Sequence, residues 1–283
     1  TLAMKTWGGR TVDEQVISDS VSVKSALGEN PKRVYGDKKQ MPSTRLGVAK
    51  VIREAFVAAQ DYVARREHAA AKGEPFERDL GKETLARVLA GELIWDQHTH
   101  RADDVATAIR LAEEFGYRLV VNHGTDAAPL ADVLAEKGVP VIFGPLITSR
   151  SKIELRDRDI VNLARLAEAG VLVAITTDHP VVPVNFLVHQ ASFAVKEGLD
   201  PQVALEALTI NPARMLGLDG RVGALREGLD GDVVVWSGDP LDIGSRAERV
   251  FITGTEVFSW DPAADGGRGA GRVRERGERF ARG

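Results

Sequence analysis

Two short apolar strands joined by a helix, each strand ending at a histidine, constrain this chain more than any other feature of its sequence. Within residues 93–126, LIWDQHTH reads as a strand that ends in His98-Thr99-His100, and LVVNH reads as a second strand that ends in Asn122-His123. Apolar residues at helical spacing lie between them. A strand, a crossover helix and a parallel strand form one βαβ unit. Because ligand sites gather where parallel strands end, the two histidines predict a site at one edge of a sheet.

A third apolar run favours a metal site at this edge. One histidine at a strand end is often a polar cap or a structural core residue, so two strands alone leave both interpretations open. The β-branched run VLVAITT at 171–177 leads directly into Asp178 and His179. Imidazole and carboxylate ligands without any thiolate suit a hydrolytic divalent ion such as zinc, with one coordination position left open.

The composition excludes several classes of site and favours a small-molecule enzyme. The 283-residue chain has no cysteine, which rules out disulfides, thiolate metal sites and cysteine nucleophiles. Its net charge of −4 gives no reason to expect nucleic acid or an anionic membrane as the main partner. No apolar run approaches the roughly 20 residues that span a bilayer. We therefore expect a cytoplasmic protein with a small-molecule substrate, able to form a homo-oligomer.

The segments around the βαβ unit have their own predicted structures. A short strand at 21–24 precedes a polar loop at 26–45, in which residues 28–31 read as a turn. A helical pattern, broken by Gly and Pro, covers 46–90. The charge run at 150–158 is typical of a solvated face, although it could cover the mouth of a pocket.

Seven motifs occur along the chain, each weak alone but specific in their joint order. They are VKSALGENPKR at 23–33, HTHRADDV at 98–105, NHGTDA at 122–127, FGP at 143–145, ITTDHPV at 175–181, TINPARMLGL at 209–218 and VGALREGLDGDVVVWSGDPL at 222–241. In this order they resemble the amidohydrolase superfamily, on its imidazolonepropionase-like and Xaa-Pro dipeptidase-like branch. The resemblance implies a (β/α)8 TIM-type barrel with a β-sandwich built from both chain ends.

The resemblance also implies roles for residues at matching positions. His98 would be the metal ligand of the fifth barrel strand, His123 that of the sixth, and Asp178 the aspartate of the eighth. Lys24 matches a fourth-strand lysine that is carbamylated in binuclear members; an ammonium has no lone pair, whereas a carbamate offers two anionic oxygens. An ordinary exposed lysine is the alternative for Lys24. One or two divalent ions, most simply zinc, are therefore implied.

Three further residues are predicted to support the ligands or contact the substrate: His100, His179 and Arg101. His100 lies two residues beyond His98 on the same strand face, and the assignments of these two histidines could be reversed. Either His100 or His179 could stabilise a developing oxyanion.

One departure from the family pattern concerns the N-terminal part. The family's first strand carries a His-x-His pair, and nothing before Lys24 matches it. The chain thus resembles the C-terminal two-thirds of such an enzyme. We predict a partial barrel with strands four to eight at 1–220, C-terminal β-sandwich strands at 221–260, and a disordered Gly/Arg-rich tail at 261–283.

The predicted function is hydrolysis of a carbon–nitrogen bond, in an amide or cyclic amide, by metal-activated water. Asp178 would accept the proton of the water and deliver it to the leaving nitrogen. A dipeptidase of Xaa-Pro type is the alternative enzyme, and a truncated, non-catalytic remnant is the alternative outside enzymes. RNA binding through the tail is a third interpretation, less favoured than a solubilising role.

Overall fold

The computed structural model describes residues 1–7, 11–264 and 269–273 and is built around a parallel β-sheet. A short antiparallel pair, β1 (Ala3–Met4) and β2 (Val16–Ser18), precedes the strands β3 (Ser22–Ala26), β4 (Ile94–Thr99), β5 (Leu119–His123), β6 (Val141–Phe143) and β7 (Val173–Ile175). The last five form one parallel sheet in chain order, from β3 to β7. Each crossover contains helix, so all the carboxyl ends lie at the same edge.

Helices connect and cover these strands. They are α1 (Glu29–Asp37), α2 (Arg45–Lys72), α3 (Leu80–Leu89), α4 (Ala102–Phe115), α5 (Ala131–Glu136), α6 (Val161–Glu168), α7 (Leu187–Lys196), α8 (Pro201–Leu208) and α9 (Ile210–Leu216). The Thr44 hydroxyl accepts from the Gly47 amide and so begins α2, which ends at Gly73 with a φ of 67°. In the described part of the chain, no helix is both long and apolar enough to cross a membrane.

The predicted α/β class with a parallel sheet is confirmed. Strand pairing in the described residues runs only from β3 to β7 and does not close on itself, so the full (β/α)8 barrel stays a prediction. The predicted helical pattern at 46–90 appears as α2 and α3, separated by the expected break.

The predicted turn at 28–31 is wrong, because α1 begins at Glu29. Pro31 lies in the first helical turn, where its missing N–H would have had no partner within the helix. The carboxylate of Glu154, distant in sequence, accepts a hydrogen bond from the Glu29 amide at 2.7 Å. A long-range contact therefore supplies the helix cap that the local sequence lacks.

A second, antiparallel sheet follows the last helix. Its strands are β8 (Val233–Trp236), β9 (Ala247–Ile252), β10 (Thr255–Asp261) and β11 (Ala270–Val273), in the order β11-β10-β9-β8. The predicted disorder of 261–283 is therefore wrong for Asp261, which ends β10, and for 270–273, which form β11 and pair with residues 258–261 of β10. Residues 265–268 and 274–283 lie outside the described residues.

An aromatic cluster fastens α2 to the parallel sheet. The Phe56 ring lies 4.9 Å from that of Trp95 on β4, 5.1 Å from that of Phe115 on α4 and 4.8 Å from that of Tyr117, between ring centroids. Phe56 is 0% exposed, so the whole surface of its side chain is removed from water and contributes to the stability of the fold. Its contacts join α2 to β4 and α4, which follow it in the chain.

Replacing Phe56 should therefore cost far more stability than replacing its neighbour. Phe56→Ala is expected to lower the free energy of unfolding by about 3–5 kcal/mol, because it removes buried surface and leaves a cavity. Val57→Ala is the matched control, because Val57 is 48% exposed on the same helix. Urea denaturation followed by circular dichroism measures both, and equal losses would contradict the packing described.

Candidate functional site

Three histidines meet at the carboxyl edge of the parallel sheet. His98 and His100 come from the end of β4, and His123 comes from the end of β5. Their ring centroids lie 4.5 to 4.9 Å apart, and one ring nitrogen of each lies within 4.8 Å of the others. The three residues are only 3 to 7% exposed. Since β4 and β5 are parallel neighbours with Thr99 opposite His123, strand pairing itself brings these side chains together.

Hydrogen bonds orient two of the three rings. The His123 Nδ1 donates to the carbonyl oxygen of Gly144 at 2.7 Å, and the His100 Nδ1 lies 2.9 Å from the Thr125 hydroxyl. A carbonyl can only accept, so His123 carries its proton on Nδ1 and keeps the lone pair on Nε2. Gly144 has a φ of 135°, and a Cβ there would collide with the Thr176 carbonyl oxygen, so this acceptor position requires glycine.

Burial also keeps these rings neutral. It lowers the pKa of His100 to about 2 and the pKa of His123 to about 3. Positive charge on the neighbouring histidines acts in the same direction. Neutral imidazole is the form that binds a metal ion.

A polar network from α1 and the loop after β6 surrounds His98. The Nε2 of His98 lies 3.1 Å from the Asn30 amide nitrogen, and the Asn30 oxygen accepts from the Lys152 ammonium at 2.7 Å. The second contact fixes the amide orientation, so Asn30 donates and His98 accepts. The Glu154 carboxylate lies 3.9 Å from the same nitrogen. The family resemblance suggested that the segment GENPKR, at 28–33, helps to shape the substrate pocket, but it gave Asn30 no individual role. Glu154 was not identified, because it reaches the site through a contact between distant segments.

One pocket of about 250 Å³ contains this cluster and most of the predicted site residues. Its lining includes Lys24, His98, His100, His123 and Asp178. The remaining lining residues are Asn30, Thr125, Pro145, Thr148, Ser151, Lys152, Leu155, Arg158 and Val181. The charge run at 150–158 thus contributes to the pocket wall, as the second of its two interpretations anticipated.

Lys24 and Asp178 lie at the more open side of the pocket. The Lys24 side chain is 43% exposed, and its ammonium lies 3.4 Å from the Asp96 carboxylate. Asp178 is exposed and follows β7 with a φ of 49°, while His123 has a φ of 78°. Left-handed backbone at residues other than glycine costs about 1–3 kcal/mol each and is found disproportionately at functional sites. The left-handed backbone thus occurs at two of the predicted metal ligands, His123 and Asp178.

The other two predicted residues do not line this pocket. Arg101 forms a two-point ion pair with Asp103, with distances of 2.8 and 2.9 Å, and lines an adjacent depression. His179 is exposed and is not among the residues lining the histidine pocket. Their supporting roles stay predictions.

The depressed pKa values of His100 and His123 predict a loss of stability in acid. An ordinary histidine pKa is near 6.5, so below about pH 6.5 the unfolded chain binds more protons than the folded chain. The stability is therefore complete above this pH and falls as the pH drops, by about 1 kcal/mol per histidine on going from about pH 7.5 to 5.5. Urea unfolding of chelator-treated protein at the two pH values measures this difference.

His100→Gln should remove about half of that pH dependence, since glutamine does not titrate. His68→Gln is the control, because His68 is exposed on α2. A free energy of unfolding that rose on going from about pH 7.5 to 5.5 would contradict this direction of the pH dependence.

Comparison with known proteins identifies one matching family and a similar solved structure. A family described as "Amidohydrolase family" matches residues 76–263. The crystal structure of an amidohydrolase from Thermotoga maritima MSB8 is 47% identical, superposes with a TM-score of 0.87, and is matched over 89% of this chain and 66% of that one.

Two curated proteins are similar over shorter shares of their own length. Amidohydrolase tasK of Hapsidospora irregularis is 28% identical over 255 residues, which are 85% of this chain and 26% of that protein. An imidazolonepropionase of Xanthomonas oryzae pv. oryzae, strain PXO99A, is 26% identical over 156 residues, 52% of this chain and 37% of that protein. The chain thus spans less than two thirds of the length of each of these relatives.

Proposed function

Since the chain belongs to the amidohydrolase family, we propose that its histidine cluster holds a divalent metal ion and that the surrounding pocket hydrolyses a carbon–nitrogen bond. The family assignment made from the seven motifs is confirmed. The single observation that carries the functional proposal is the convergence of three buried imidazoles in one pocket with a carboxylate.

The donor set fits a hydrolytic metal ion. His98, His100 and His123 each offer a ring nitrogen within 4.8 Å of the others, and Asp178 supplies a carboxylate in the same pocket. Nitrogen and oxygen donors without thiolate suit zinc or a similar divalent ion. We assign all three histidines to the ion, because His98 and His100 are both close to His123. A carbamylated Lys24 would add two oxygen donors at the open side.

The protein residues would then divide the work of hydrolysis. A divalent ion bound at the cluster would supply Lewis acidity, which polarises a carbonyl group and makes water more acidic. Asp178, exposed at the rim, would accept a proton from water and deliver it to the leaving nitrogen. The hydrogen bonds between His100 and Thr125 and between His123 and Gly144 would hold both rings in place during these steps.

The size of the pocket favours a small substrate. A volume of about 250 Å³ lies just below the usual range of about 300–1,000 Å³ for ligand sites and favours a small amide, a cyclic amide or a dipeptide. Arg101 and His179 are proposed to contact the substrate or support the ligands, although neither lines the pocket.

Metal uptake provides the first test. After incubation with zinc and desalting, the protein should retain at least one equivalent by mass spectrometry of the metal. His123→Gln should weaken retention about 10- to 100-fold, because it removes a donor whose orientation is fixed by Gly144. His68→Gln should retain as much zinc as the unmodified protein. No retained metal in the unmodified protein would sink the hydrolase proposal and favour a non-catalytic protein.

The proton-transfer role of Asp178 provides the second test. Asp178→Asn should reduce turnover of small amides, cyclic amides and dipeptides about 10²–10⁴-fold, because an amide cannot accept the proton. Asp157→Asn is the control, since Asp157 is exposed and pairs only with Arg156 in the part of the chain that the structure describes. Circular dichroism should show both variants folded. An Asp178→Asn protein as fast as the unmodified one would rule out this proton path.

A further inference from the structure

The guanidinium of Arg158 lines the histidine pocket without a counterion. Its Nη2 donates to the Thr148 carbonyl oxygen at 2.6 Å, which holds the group against the pocket wall. Its Nη1 is buried and has no hydrogen-bond partner among the described residues. Within those same residues, no carboxylate lies within ion-pair distance of it.

The other cations of the pocket already have partners. Lys152 donates to Asn30 and lies 3.7 Å from the Glu154 carboxylate, and Lys24 pairs with Asp96. Arg158 therefore differs from its neighbours in carrying a positive charge that is partly buried and uncompensated. Burial without a counterion penalises the charge, and it lowers the pKa of Arg158 from its ordinary value.

We propose that Arg158 binds a carboxylate of the substrate, so that the enzyme acts on amides that carry a carboxylate near the scissile bond. This inference rests on the proposed hydrolase function and names its substrate class. The planar guanidinium presents paired donors that match the two oxygens of a carboxylate, and Nη1 is a donor without a partner among the described residues. N-acyl amino acids and dipeptides with a free carboxyl terminus have this chemistry.

The charge of the pocket agrees with this assignment. Its lining contains Lys24, Lys152 and Arg158 but, of acidic residues, only Asp178, within the described residues. Asp178 has its own proposed task at the metal ion and the leaving nitrogen. A substrate carboxylate would therefore meet a positive wall and would supply the counterion that Arg158 lacks.

Two probes that differ only in their terminal group, a charged carboxylate or a neutral amide, test this assignment directly. N-acetyl-L-alanine and N-acetyl-L-alaninamide are titrated by calorimetry into the full chain, with and without zinc. The unmodified protein should bind the acid at least about tenfold more tightly than the amide, which corresponds to one charge-assisted hydrogen-bond pair. Inorganic phosphate is the third probe, because it shares the anionic chemistry but not the planar carboxylate.

Arg158→Gln should abolish the preference for the acid. Glutamine keeps an N–H donor but carries no charge. Arg156→Gln is the matched control, because Arg156 is exposed on the same segment and should retain the preference. Arg158→Lys keeps the charge but loses the planar fork, so the preference should fall at least about threefold.

These binding measurements test the role of Arg158 and leave the hydrolase proposal to a separate measurement. Equal affinity for acid and amide in the unmodified protein, or a preference retained by Arg158→Gln, would overturn it. If Arg158→Gln does not fold, an unchanged preference in Arg158→Lys would do so instead. Phosphate binding more tightly than the acid would also overturn the carboxylate assignment. Zinc retention, measured independently, decides the hydrolase proposal alone.

Discussion

The parallel pairing of β4 with β5 is the constraint on which the candidate site depends. Hydrogen bonds along these strands set Thr99 opposite His123 and so place the end of one strand beside the end of the next. Three imidazoles then share a buried space, where the cost of charging His100 or His123 keeps these rings neutral. The sheet therefore determines the geometry of the cluster and, through burial, the neutral state of His100 and His123.

The strand ends were predictable because they depend on local pattern. Apolar runs that stop at or just before His98, His123 or Asp178 can be read directly from the sequence, and parallel pairing then places their ends together. The α/β class follows from the same alternation of strands and helices. Family membership followed from motif order, which carries information that no single motif contains.

What the sequence could not show are contacts between segments that lie far apart in the chain. Glu154 caps α1 across 125 residues, and Asn30 on that helix contacts His98 across 68 residues. Neither link leaves a periodic signature, so residues 28–31 looked like a turn. The strand β11 was missed for a similar reason, since Gly and Arg dominate its surroundings and its pairing with β10 is what orders it.

Because the backbone at Asp178 is left-handed, stability favours one residue at this position and the proposed chemistry requires another. A φ of 49° at Asp178 destabilises the folded chain. The side chain of Asp178 is exposed and buries little surface, so burial offsets little of this conformational cost. Glycine would adopt the same backbone without that penalty. A search for more heat-resistant variants of this chain would thus be drawn towards glycine at 178, and would discard the carboxylate in the process.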